Sequence, residues 1–303
     1  MITSTLALLA LGLAPVETPD AQQPWTPARM EQTVYLVKPS ETDSRIGHFD
    51  EPHRVVFNRE VGARAQLAVF LPGTGGKPAA AARLLSVIAD QGYRVIGLEY
   101  EDTPAVIQVC PRTPAANCSS EFRHWRIFGI GAHPPIGGTG ADSIVNRLTK
   151  LLVYLDGQHP GEGWGGYLAE GAPDWSRIVI SGASQGAGMA AYIAKVTPVA
   201  RVVLFSGPWD YYGFSRVLAP WLAAPSVTPP ERWFGEYHKR ENTAALISEA
   251  YGALHIPRSN IRVFDLDLPP AYRPRRTENP YHGSTIHLAA YEPEWRFLFG
   301  RSQ

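Results

Sequence analysis

The chain has 303 residues, 45% of them hydrophobic and 18% charged, an ordinary globular composition with enough apolar material for a sizeable core. Lys+Arg and Asp+Glu are equal at 28 each, so no basic excess is present to hold a phosphate backbone. Nucleic acid is not an expected partner.

Met1-Ile2-Thr3-Ser4 is followed by an apolar run at 6–14, which reads as the short core of a secretory leader over residues 1–23, although the usual positive charge ahead of it is missing. Pro15, Pro19, Pro24 and Pro27 would terminate a buried helix continuing from that run. The run is too short to span a bilayer, so no stable membrane anchor is expected. The two cysteines, Cys110 and Cys118, lie close together among Pro, Thr and Asn, which suits a small-loop disulfide in an oxidising compartment. A secreted or periplasmic protein is the expectation.

Residues 24–303 read as one domain, because no internal repeat or low-complexity linker interrupts them. Three successive strands are expected at 34–37, 54–58 and 66–71, joined by tight polar turns. A helix over 78–91 has proline in its first turn and Gly92 just past its end. A strand at 93–98 follows, and then 102–139 reads as an irregular insertion above a sheet edge. That segment holds both cysteines, His124, Trp125, His133, Pro134 and Pro135, and a loop so long is uncommon without a role. Apolar positions 144, 145, 148, 151, 152 and 155 mark an amphipathic helix ended by Gly157. Further strands are expected at 177–180, 201–205, 232–237 and 261–266, and helices at 189–195, 243–254 and 292–299. Strands first and then strand–helix alternation argue an α/β fold, with a mostly parallel sheet covered on both faces.

In an open parallel sheet, ligands collect at the carboxyl ends of the strands. Ser184 stands at such an end, in Gly182-Ala183-Ser184-Gln185-Gly186. This spacing allows a sharp strand-to-helix turn, because a side chain two positions to either side of the serine would strike the neighbouring elements. The helix start behind it offers backbone N–H groups to a developing oxyanion. A glycine-rich turn with an idle serine is the bland reading of the same residues.

With the elbow at 182–186 and Leu71-Pro72-Gly73-Thr74-Gly75-Gly76 directly after the third strand, the chain resembles the α/β-hydrolase family, in its secreted, serine esterase- or lipase-like members. The resemblance covers most of residues 34–299. It implies an α/β-hydrolase fold and an oxyanion hole built from the backbone N–H of Gln185 and that of Thr74, or else Gly75. It also implies the chain order serine, acid, histidine.

A serine needs a base to take its proton and a carboxylate to orient that base. His282, in a loop after the last strand and followed by Gly283, is the favoured base over His287; His255, at a helix end, reads as a cap. The acid stays open. Glu241 follows the strand at 232–237, where the family most often supplies it, but a glutamate there also favours the start of the next helix. Asp210, after the strand at 201–205, is the alternative, with Asp265 and Asp267 behind it.

His48-Phe49-Asp50-Glu51-Pro52-His53 mixes metal-ligand types without helical spacing and reads as a solvated turn. Gly161-Glu162-Gly163-Trp164-Gly165-Gly166 lacks the lysine of a phosphate loop and reads as a flexible aromatic-bearing loop. Trp209, Tyr211, Tyr212 and Phe214 are candidates for the wall of an acyl or aryl pocket, or for core. The expected function is hydrolysis of carboxylic esters through an acyl-enzyme, with no metal and no organic cofactor. The substrate expected is a small molecule, a lipid or a polysaccharide ester. A catalytically silent binding domain and an acyltransferase are the other readings, and oligomeric state is not legible.

Overall fold

Eight strands are built on apolar, β-branched runs, the inner ones buried on both faces and the edge strands β1 and β8 partly exposed: β1 (Gln32–Val37), β2 (His53–Asn58), β3 (Leu67–Leu71), β4 (Arg94–Gly97), β5 (Ile178–Ala183), β6 (Arg201–Phe205), β7 (Trp233–His238) and β8 (Ile261–Phe264). They form one sheet in the order β1-β2-β4-β3-β5-β6-β7-β8. The first two pairings, β1 with β2 and β2 with β4, are antiparallel, and the rest are parallel. This is the α/β-hydrolase arrangement, a mostly parallel sheet with helices on both faces.

The computed structural model describes residues 32–131, 136, 138–213, 217–270, 272 and 279–300, and residues Glu31–Gln303 form one compact unit. The expected leader at 1–23, the His133 to Pro135 stretch and Phe214 lie outside the described residues.

Period-two alternation divides the core. Val69, Leu71, Ile178, Ile180, Val202 and Leu204 face one side, while Phe70, Val179, Val203 and Phe205 face the other. The first side is covered by α2 (Cys118–Phe128), α3 (Ile144–Gln158), α4 (Gln185–Val196) and α5 (Ala244–Ala253), the second by α1 (Ala82–Ala89) and α6 (Glu292–Leu298). The side chain of Ser143 caps α3 by accepting from Asn146 N–H at 3.2 Å.

Three expectations need correction. The β1–β2 connection is no tight turn; it spans 38–52 and contains a helical turn at Pro39–Thr42. β3 does not pair with β2, since β4 inserts between them, because a crossover through α1 gives the parallel β3–β4 pair. Segment 102–139 is more regular than expected. It holds a helical turn at Val106–Val109 and the eleven-residue α2, whose apolar residues Phe122 and Ile127 are fully buried. The charged and polar residues among them weaken the helical signal, and two of these, Arg123 and Arg126, are themselves buried.

Cys110 and Cys118 are joined in a disulfide that connects the helical turn to α2, with a sequence separation of 8. Closing a loop of that length removes chain entropy from the unfolded state worth about 2.5 kcal/mol. Replacing both cysteines with serine should therefore lower the melting temperature by roughly 5 °C. Differential scanning calorimetry with and without a reductant checks this, and a variant as stable as the oxidised protein would contradict it.

Candidate active site

The turn between β5 and α4 is built from small residues for steric reasons. A Cβ on Gly182 would collide with the backbone of Gly186, and one on Gly186 would collide with the carbonyl of Leu71 at the end of β3. In this space Ser184 adopts φ 54° and ψ −114°, a left-handed region that costs a non-glycine residue about 1–3 kcal/mol. The turn is held by the Ser184 N–H, which donates to the Phe205 carbonyl at 2.8 Å.

Gln185 begins α4 and is buried, and its Oε1 accepts from Val106 N–H at 3.3 Å. Thr74 and Gln185 line the same cleft as Ser184, together with Trp209. The Thr74 loop is fastened from behind: Tyr100 donates its hydroxyl to the Pro72 carbonyl at 2.9 Å, and Gly76 N–H bonds Gly73 at 2.8 Å. The Gly75 backbone faces the Asp102 carboxylate, and Thr74 is the loop donor that lines the cleft beside Ser184.

His282 and Glu241 are in contact, His282 Nδ1 lying 2.6 Å from Glu241 Oε2. The Glu241 carboxylate is fully buried, while the imidazole is 24% exposed. Three further donors serve that carboxylate: His238 N–H at 2.9 Å, the Ser206 hydroxyl at 3.1 Å and the Thr243 hydroxyl at 3.2 Å. A carboxylate only accepts, so the His282 proton sits on Nδ1 and Nε2 of the neutral ring keeps a free lone pair. The ring meets Trp209 edge-on, with centroids 5.2 Å apart.

Asp210 is held elsewhere. Arg123 grips it with two bonds, Nε to Oδ2 at 2.7 Å and Nη2 to Oδ1 at 2.5 Å, and Trp221 Nε1 adds a third at 3.0 Å. Asp265 pairs with Lys239, and Asp267 with Arg240, at the exposed surface. The His287 ring meets the backbone of Ala80. His255 follows α5 with φ 56°, at the end of the helix.

The remaining constellations resolve as structure. His53 is not in a solvated turn: it is fully buried in β2, its Nδ1 accepts from Glu99 N–H at 2.9 Å, and burial pushes its pKa down to about 3. Trp164 is a core residue whose Nε1 donates to Glu162, and Glu162 also accepts from Tyr35 and Arg59, so that loop is tied at several points. Tyr211 and Tyr212 pair in a small hairpin with Val217 and Leu218. Among the described residues no three His, Cys, Asp or Glu side chains stand together as a metal-ligand set.

Sequence reasoning missed the supports: Ser206, Thr243, Thr285 and Arg123. Ser206 has the clearest structural role, with φ 46° directly after β6 and a hydroxyl that meets Glu241, Thr285 and the His282 carbonyl. Its only sequence signal is its place at a strand end ahead of Gly207-Pro208.

No protein-family model matches the chain, and no curated protein matches it. Among solved structures the chain is similar in path to a bacterial heroin esterase, with a TM-score of 0.47 and 14% identity over 90% of this chain and 85% of that one. It is also similar to the Pyrococcus furiosus esterase Pf2001, with a TM-score of 0.44 and 16% identity over 93% and 96%.

A second buried carboxyl lies behind the first. Glu236 on β7 is fully buried beside Thr285 and Ser206, and desolvation, followed by the charge of Glu241, raises its pKa well above the usual 4.5. The folded chain then keeps a proton that the unfolded chain has released. Stability is full below 4.5 and falls as pH rises toward the folded value, by about 1.4 kcal/mol per pH unit. Glu236→Gln removes this slope, so its melting temperature should gain on the parent protein steadily from pH 5 upward. Thermal melts across pH 4.5 to 8 test it, and a difference that does not change with pH would show that Glu236 ionises normally.

Proposed function

We propose that the protein is a serine hydrolase of carboxylic esters, with Ser184 as nucleophile, His282 as base and Glu241 as the acid that orients it. The observation that carries this reading is the buried Glu241–His282 bond, attached to the same short segment that anchors the strained serine. Phe205 accepts the Ser184 N–H, Ser206 bonds both Glu241 and the His282 carbonyl, and Trp209 lines the serine's cleft while packing against the His282 ring.

In the proposed reaction, Ser184 Oγ attacks the ester carbonyl as His282 Nε2 takes its proton, and the N–H groups of Thr74 and Gln185 receive the charge on the carbonyl oxygen. The imidazolium then protonates the departing alkoxide, leaving an acyl-serine. Water attacks the acyl-serine with the same base, releasing acid and free serine. Glu241 accepts from Nδ1 throughout, and its three other donors hold the carboxylate in place behind the ring.

A silent binding domain gives no reason to bury a carboxylate with four donors behind one imidazole, so the hydrolase reading is preferred. Secretion to an oxidising compartment is the companion proposal, supported by the disulfide. Among the described residues no helix is long and apolar enough to cross a membrane.

With p-nitrophenyl acetate, Ser184→Ala should lower kcat/KM by roughly 10⁴ to 10⁶ and abolish labelling by a fluorophosphonate. Glu241→Gln should cost about 10³ to 10⁴, because the amide no longer fixes the imidazole proton, whereas Asp265→Asn and Asp267→Asn should leave the rate unchanged. Steady-state kinetics on the folded variants decide the acid. A fully active Glu241→Gln protein would remove Glu241 from the role.

A further inference from the structure

A cavity of about 490 Å³ lies at the opposite end of the sheet from Ser184. It is bounded by the end of β2, the turn at 59–63, the residues that open β4, and Gly161 and Glu162 in the loop after α3. Arg94 begins β4 beside Leu67, which begins β3, whereas Ser184 follows the carboxyl end of β5. The cavity is therefore separate from the serine cleft. Its volume falls within the range of roughly 300–1,000 Å³ common to small-molecule sites.

Two guanidinium groups meet in its wall. Arg59 stands 5.3 Å and Arg94 5.9 Å from the centre of the Phe57 ring, and Arg94 also lies 5.5 Å from that of Trp164. Their charges are not equally matched. Glu162 Oε1 accepts from Arg59 Nη2 at 2.6 Å and from the Tyr35 hydroxyl at 2.9 Å, while its Oε2 accepts from Trp164 Nε1 at 2.9 Å. Both oxygens of that carboxylate are thus taken. Asp90, behind the cavity, is engaged by Asn58 and Gln32, and Glu60 stands on the exposed turn at the rim. Among the described residues the Arg94 guanidinium meets aromatic faces and no carboxylate, and its Nε is shielded from solvent with no hydrogen-bond partner.

A donor cut off from water and left unbonded is costly, and a carboxylate is the partner whose two oxygens match the guanidinium fork. One unmatched positive charge, with Glu60 at the rim, favours a singly charged ligand over a doubly charged phosphate. Phe57, Val61, Ala63 and Tyr93 supply apolar surface for the rest of the molecule. The walls are set in advance: the Gly92 carbonyl accepts the Arg64 N–H at 2.8 Å, and Gly92 approaches the Gly62 carbonyl so closely that a Cβ would collide with it.

We propose that this cavity is a binding site for a small monocarboxylate with an apolar body, its carboxylate received by Arg94. The site is independent of the chemistry at Ser184.

The test is isothermal titration calorimetry of the full chain with benzoate, with benzamide as the uncharged counterpart and inorganic phosphate as the more highly charged anion. Arg94→Gln removes the charge, and Arg94→Lys keeps the charge without the fork. Gly62→Leu narrows the cavity and leaves Arg94 in place, at a position where an added Cβ meets nothing. Thermal melts establish that each variant is folded. Benzoate should bind at one site, with benzamide and phosphate at least about tenfold weaker, and Arg94→Gln and Gly62→Leu should each lose at least about tenfold in benzoate affinity. Arg94→Lys should fall between parent and Arg94→Gln, and Ser184→Ala should bind as the parent does. No benzoate binding at millimolar concentration, or an affinity unchanged in folded Arg94→Lys and Gly62→Leu, overturns the site. Benzoate affinity lost in Ser184→Ala places the ligand in the serine cleft and also overturns it, and phosphate bound more tightly than benzoate overturns the carboxylate class.

Discussion

The site depends on one steric constraint, the close approach of α4 to the ends of β3 and β5. With no Cβ at Gly182 or Gly186, the helix settles onto the Leu71 carbonyl, and the chain must turn so sharply that Ser184 is forced to positive φ. The strain persists because its surroundings determine it: β5 is buried along its whole length, and Phe205 takes the serine N–H. The same approach brings the 72–76 loop to the serine, since that loop leaves β3 directly after Leu71. At Gly73 an added Cβ would stand 3.1 Å from the Ser184 Cβ. Ser184 and the 72–76 loop are thus set by a single contact rather than by two independent ones.

Charge at the acid end follows from an unequal distribution of donors. Glu241 and Glu236 are both buried, and Glu241 helps to raise the pKa of Glu236. The difference between them is in their donors: four side-chain and backbone groups meet the Glu241 carboxylate. Glu236, with desolvation dominant, is the neutral member.

The elbow and the strand pattern were legible because each rests on local rules. Apolar runs rich in Val and Ile read as strands buried on both faces, and glycines two residues either side of a serine read as a tight turn. The sheet order was not legible from those runs: β1, β2 and β3 look alike in sequence, and only the crossover through α1 places β4 between β2 and β3. For the acid, sequence left Glu241 and Asp210 open, since both follow strand ends. The difference lies in their partners, His282 for one and Arg123 for the other, and those contacts join residues 41 and 87 positions apart. Long-range pairing of this kind leaves no periodic signal.

Arg123 explains why residues 118–128 read as loop and yet form a helix. Its helix carries charged residues where an amphipathic pattern would place apolar ones, because Arg123 is satisfied inside the protein by Asp210 and the Gln185 carbonyl. A buried ion pair adds little net stability compared with a well-packed apolar contact. Its effect here is positional: the guanidinium meets α4, where the serine turn begins, and the loop after β6, which carries Trp209. Any displacement of α2 would be felt at both, and the disulfide holds α2 to the Val106–Val109 turn, whose Val106 N–H bonds the Gln185 side chain.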